Sequence, residues 1–184
     1  MNDDTITAFP ILNAKIQTEL INHIEHVRDF LNEAFRHHAT GRLDLGDTIS
    51  WVCETTSDYL DERMPLTDSQ AEQLVDFMAA CVIAIAQAPG PHHDEEAEPL
   101  IPACFTPRYR AVMCENEAEL MTIAGEVMQL YKRDEADPPD IVPFTVDRFC
   151  EHLAAKGIKV TPTFRRAITD YVLLGTLHHF VLNK

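Results

Sequence analysis

The sequence predicts an all-α protein: a multi-helix bundle around one central apolar helix at 68–88, with a small C-terminal two-helix unit. Three observations lead there. Apolar residues recur at steps of three and four along most of the 184 residues. Capping residues, Gly and Pro punctuate these periodic stretches. One segment, FMAACVIAIAQA, is apolar all round, so other elements have to cover it.

The elements follow in order. Pro10 suits a first helical turn, and Leu12, Ile16, Leu20, Ile24, Val27, Leu31 and Ala34 then form one stripe, predicting a single long amphipathic helix. Arg36, His37 and His38 favour its negative end, and Gly41 stops it. Asp47 is expected to cap a second helix burying Ile49, Val52, Cys53, Thr56, Tyr59 and Leu60, which Pro65 cannot prolong.

Thr67 and Gln70 form a capping box ahead of the apolar helix, and Pro89-Gly90-Pro91 ends that helix. A Pro-rich loop is expected at 89–110, with RYRAVMC as a short strand near its end. Asn116 and Glu119 suggest a second capping box before Ala118, Leu120, Ile123, Ala124, Val127 and Tyr131, a helix closing on Lys132 and Arg133. Residues 134–144 mix charge with proline and read as a linker. Thr145 is expected to open a fifth helix carrying Phe149, Cys150 and Leu153, stopped by Gly157. Thr161-Pro162 opens a sixth, with Phe164, Ile168, Tyr171, Val172, Gly175 and His179 on or near one side.

Charge bounds the function. The chain carries 15 basic and 30 acidic residues, a formal net of −15. The distribution divides at the linker: residues 1–144 hold 9 basic and 27 acidic residues, net −18, and residues 145–184 hold 6 and 3, net +3. The expected organisation is therefore an acidic helical bundle at 1–133 and a basic two-helix unit at 145–184, which could also pack on the bundle as one domain. A body of that charge repels phosphate, so nucleic acid is expected only through residues 145–184, whereas basic proteins are attracted.

The acidic start MNDDTITAFP is unlike a signal peptide, and the longest apolar run, Phe77 to Ala86, is short for a membrane span. Five cysteines, Cys53, Cys81, Cys104, Cys114 and Cys150, make no CxxC pair and no disulfide framework. A cytoplasmic protein is expected. No GxSxG elbow, phosphate-binding Gly loop or HExxH motif occurs. No cofactor is expected, and the reading leans away from an enzyme.

Three functions fit the residues. The first is a non-enzymatic interaction factor, of adaptor, inhibitor or immunity type or an acidic nucleic-acid mimic, that binds a basic protein partner through Asp94, Glu95, Glu96 and Glu98 in the loop APGPHHDEEAEPL. The second is a DNA-binding regulator whose last two helices are similar in arrangement to a helix-turn-helix, with Arg165 and Arg166 on phosphate or guanine and Lys156 and Lys159 on backbone. The third is a metal-binding helical protein using Glu19, His23, His26 and His37, which share one face of the first helix and are suitable ligands for zinc. The long stripe of that helix would also serve a homodimer.

Overall fold

The computed structural model describes residues 12–94 and 107–183, and every regular element among them is helical. The all-α prediction holds among the described residues, and within each unit neighbouring helices pack against one another. They are α1 (Ala14–Asn22), α2 (Ile24–Ala39), α3 (Leu45–Asp61), α4 (Asp68–Gln87), α5 (Pro107–Glu115), α6 (Glu117–Lys132), α7 (Ile141–Ala155) and α8 (Pro162–Leu182), with a 3-10 turn at Pro138–Asp140. The described chain groups into two compact units, residues 12–94 with 177–183, and residues 107–176. The 134–144 segment falls inside the second of these.

In the first unit, the expected long helix is interrupted once. His23 has left the helical region, at φ −113° and ψ 25°. Hydrogen bonding nevertheless passes through it: its N–H donates to the Glu19 carbonyl, and its own carbonyl accepts from the His26 and Val27 amides. The apolar stripe therefore keeps its phase across the break. Leu12, Ile16, Leu20, Val27, Leu31 and Ala34 are all fully buried. Truncating one of these leucines to alanine costs about 2–5 kcal/mol. The stripe is thus covered within the chain itself.

α2 ends as Gly41 predicts. Gly41, at φ +70°, donates to the His38 carbonyl and Arg42 to the His37 carbonyl, the paired bonds of a Schellman motif. The cap of α3 is corrected by one turn: Asp44, not Asp47, accepts at the N-terminus, taking the Asp47 amide at 2.7 Å. Asp47 lies inside the first turn, where a carboxylate still complements the helix dipole. Val52, Cys53, Thr56 and Leu60 face inward as expected.

The Thr67–Gln70 capping box forms in both directions, starting α4 where the sequence places it. α4 is the one helix among the described residues with the length and composition to cross a membrane. Its Leu74, Phe77, Met78, Cys81, Val82 and Ile85 are buried, as in the core helix of a packed domain, and α3 is its principal neighbour.

In the second unit, RYRAVMC is helical, not a strand. It lies in α5, where Tyr109 stacks flat on Phe164 at 4.1 Å and its hydroxyl meets the Thr161 hydroxyl at 3.1 Å. The Asn116–Glu119 capping box is also corrected. Asn116 makes no cap bond to α6. It is 3% exposed, and its amide donates to the Val112 carbonyl (2.8 Å) while its Oδ1 accepts from Lys156 Nζ (2.7 Å) and lies 3.3 Å from His152 Nε2. A long-range polar partner has displaced the local one.

α7 begins at Ile141, four residues before the expected Thr145, because the 3-10 turn at Pro138–Asp140 runs directly into it. Thr145 is buried and bonds the Ile141 carbonyl at 2.8 Å. α7 packs against α6 and ends in a second Schellman motif at Gly157, φ +76°. Thr161 accepts the Phe164 amide and opens α8 as expected. Gly175 is exposed, contrary to its placement on the inner side.

Candidate functional site

Among the described residues, a long one-sign surface lies on the α3–α4 hairpin, which sequence reasoning passed over in favour of the loop after it. Residues 44–87 contain nine acidic residues and a single basic one, Arg63. All nine acids are exposed. On α3, Asp47, Glu54, Asp58 and Asp61 fall within one sector at 100° per residue, and on α4 so do Asp68, Glu72 and Asp76. Among the described residues only Glu62 of the nine has a basic partner, Arg63 at 3.8 Å.

The local chemistry explains why the acids face outward. Each helix gives its inner side to the α3–α4 seam, and a carboxylate cannot be desolvated there without a partner. Val75, 40% exposed, sits among Glu72 and Asp76 as an apolar spot in the acidic field. The seam itself feels that field. Burial pushes the Cys53 thiol up to about 11, with Asp76 and Glu54 adding to the rise from either helix. The signal was legible as the absence of Lys and Arg from both helices, but helical periodicity was used there only to find the core.

Of the loop residues expected to bind a partner, Glu95, Glu96 and Glu98 lie outside the described residues. Asp94 is not a free surface charge. Its Oδ2 lies 3.1 Å from His38 Nε2, its side chain is 17% exposed, and its amide donates to the Ala86 carbonyl at 2.8 Å. His92 packs its ring on Phe35 at 4.9 Å, while His93 is exposed.

The histidine face does not converge. His23 uses both ring nitrogens on protein groups, with Nε2 3.5 Å from Glu19 Oε2 and Nδ1 3.1 Å from the Tyr59 hydroxyl. His26 stacks on the Tyr59 ring at 5.0 Å, and the Arg63 guanidinium lies 3.6 Å from the centre of the same ring. His37 pairs with Glu33 at 3.0 Å. Fourteen residues separate it from His23, about 21 Å along a helix at 1.5 Å per residue. A shared face is a line, not a point. Among the described residues no three His, Cys, Asp or Glu side chains come together to hold a metal ion.

The four basic residues of the DNA reading differ in their surroundings. Arg165 is paired with Asp147, whose hydrogen bond holds the guanidinium above its ordinary range. Lys156 is given to Asn116. Arg166 and Lys159 are exposed. Cys53, Cys81 and Cys150 are buried as predicted from their helical positions, Cys114 is exposed, and Cys104 lies outside the described residues. Burial also raises the Cys150 thiol.

Comparison with protein-family models, with curated proteins and with solved structures finds no match for this chain.

Proposed function

We propose that the protein is a non-enzymatic cytoplasmic interaction factor, of adaptor, inhibitor or immunity type, that binds a basic protein through acidic surface. One observation carries the reading: a hairpin of two long helices with nine exposed acids and one basic residue. Such a surface stores repulsion among its own charges, which a cationic partner relieves, and it speeds capture by steering. Val75 supplies apolar area in the middle of the charge, where a partner side chain gains more than at a hydrated rim. In its sharpest form the partner is a nucleic-acid-binding protein and the hairpin occupies the place of phosphates.

Pull-down from lysate at low and raised salt tests this with two variants. In one, Glu54, Asp58, Glu72 and Asp76 are replaced by their amides; in the other, Asp94, Glu95, Glu96 and Glu98 become serine. A basic protein captured at low salt, released at raised salt and lost in the hairpin variant supports the reading. Capture that survives both variants, or no capture at low salt, refutes it.

A further inference from the structure

Met121, on α6, is 65% exposed, more than any other large apolar side chain among the described residues. It does not stand alone. At roughly 100° per residue, Glu117, Met121, Gly125, Met128 and Lys132 share one sector of about 80°. Ala118, Thr122 and Gln129 border that sector and are exposed, and the Thr122 hydroxyl is already given to the Ala118 carbonyl at 2.9 Å. The other two acids of α6 turn aside to α7: Glu126 pairs with Arg148 at 3.3 Å, and Glu119 lies 3.9 Å from His152 Nδ1. Between its two charged ends, the outward face of α6 is therefore uncharged in a chain of net −15.

Gly125 lies at the middle of this face and of the helix. A Cβ built there meets nothing within 4 Å, so no close approach inside the chain calls for a glycine. An interior glycine weakens a helix, but beside two methionines it leaves a flat place where a second backbone can come near. The face is also complementary to itself. Glu117 and Lys132 are equally far from the middle of α6, and so are Met121 and Met128. A two-fold axis through that middle sets Glu117 of one copy against Lys132 of the other and Met121 against Met128, with Gly125 beside the crossing. Among the described residues neither Glu117 nor Lys132 is ion-paired within its own chain.

We propose that the outward face of α6 docks a second copy of this chain, the two α6 helices running antiparallel about a two-fold axis. Charge complementarity selects this occupant. Two copies of so acidic a chain repel each other, and contact costs least where the surface is uncharged and each end of the stripe meets the opposite sign. A two-fold interface needs one patch that fits itself, which the order Glu117, Met121, Met128, Lys132 supplies. Methionine fills the uneven space between crossing helices well. The 16 residues of α6 give a contact about 24 Å long. One helix pair of that length falls short of the roughly 1,200–2,000 Å² of a standard stable interface, so the dimer is expected to be weak, in the micromolar range. The acidic hairpin takes no part in it.

Sedimentation equilibrium of the full chain, from about 1 µM to about 1 mM, tests it: the mass is expected to climb from one chain toward two and no further. Met121→Lys puts a charge in the uncharged middle and is expected to weaken association about tenfold or more. Lys132→Glu and Glu117→Lys each set like charges together twice across the axis, and each is expected to weaken it about fivefold. Glu117→Lys also lowers the net negative charge, so general repulsion alone would predict tighter association for that variant. The double reversal, Glu117→Lys with Lys132→Glu, restores both pairs and is expected to restore the dimer. All three positions are exposed, and circular dichroism checks that each variant keeps its helices. A single-chain mass throughout, which leaves the stripe to a different occupant, overturns the proposal. So does self-association that Met121→Lys leaves intact, or a double reversal no tighter than either single change.

Discussion

Asn116 sits where α5 meets α6, and replacing it with alanine removes three interactions at a residue 3% exposed. The Val112 carbonyl loses the side-chain amide that satisfies it at 2.8 Å, a neutral bond of about 1 kcal/mol. Lys156 loses an acceptor at 2.7 Å. A charge-assisted bond is worth about 1.5–3 kcal/mol when buried, but Lys156 is exposed and can be rehydrated, so only about half of that is lost. With His152 and the small void, the expected destabilisation is about 2–3 kcal/mol. Urea unfolding followed by far-ultraviolet circular dichroism measures it, since Trp51, the sole tryptophan, lies on α3 in the other unit. Lys156→Met closes a double-mutant cycle with Asn116→Ala, and a coupling of about 1 kcal/mol is expected. A loss below about 0.5 kcal/mol, the size of an ordinary surface substitution, would falsify the claim that this residue ties α5 and α7 to α6.

Alkylation at mildly basic pH separates two thiols by peptide mapping: Cys114, which is exposed, reacts well before Cys53, because burial and acidic neighbours hold the Cys53 thiolate form back until about pH 11. Equal rates at the two sites contradict the buried seam. Burial, with His179 beside it, lowers the His178 ring below 6.5, so the unfolded chain binds the extra proton more readily. Its contribution to stability is complete above about 6.5 and drains as pH falls. His178→Gln flattens this acid limb in urea midpoints measured across the range, and an unaltered limb contradicts the assignment.

The parts of the structure legible in the residues are those where one local rule acts alone. Gly41 and Gly157 end helices because each takes a positive φ that other residues resist. Thr67 and Gln70 cap α4 because no distant group competes for them. The heptad-like stripe of α1 and α2 survives even the distortion at His23, since burial depends on phase and not on perfect continuity. The charge division was equally plain, and so was the all-α class.

Competition between local and distant partners lies beyond such rules. Asn116 had the spacing of a cap, yet Val112 and Lys156 claim its side chain. Nothing near His23, neither Gly nor Pro, announces the break that sets its ring between Glu19 and Tyr59. RYRAVMC looks extended until Phe164, 55 residues away, offers Tyr109 a flat ring to stack on. Asp94 reads as one more solvated acid until folding brings His38 against it. A one-dimensional pattern records which face a residue occupies; which group meets it there depends on chain segments brought together from far apart, and a hydrogen bond or ion pair is set by distances of a few ångströms that spacing along the chain does not encode.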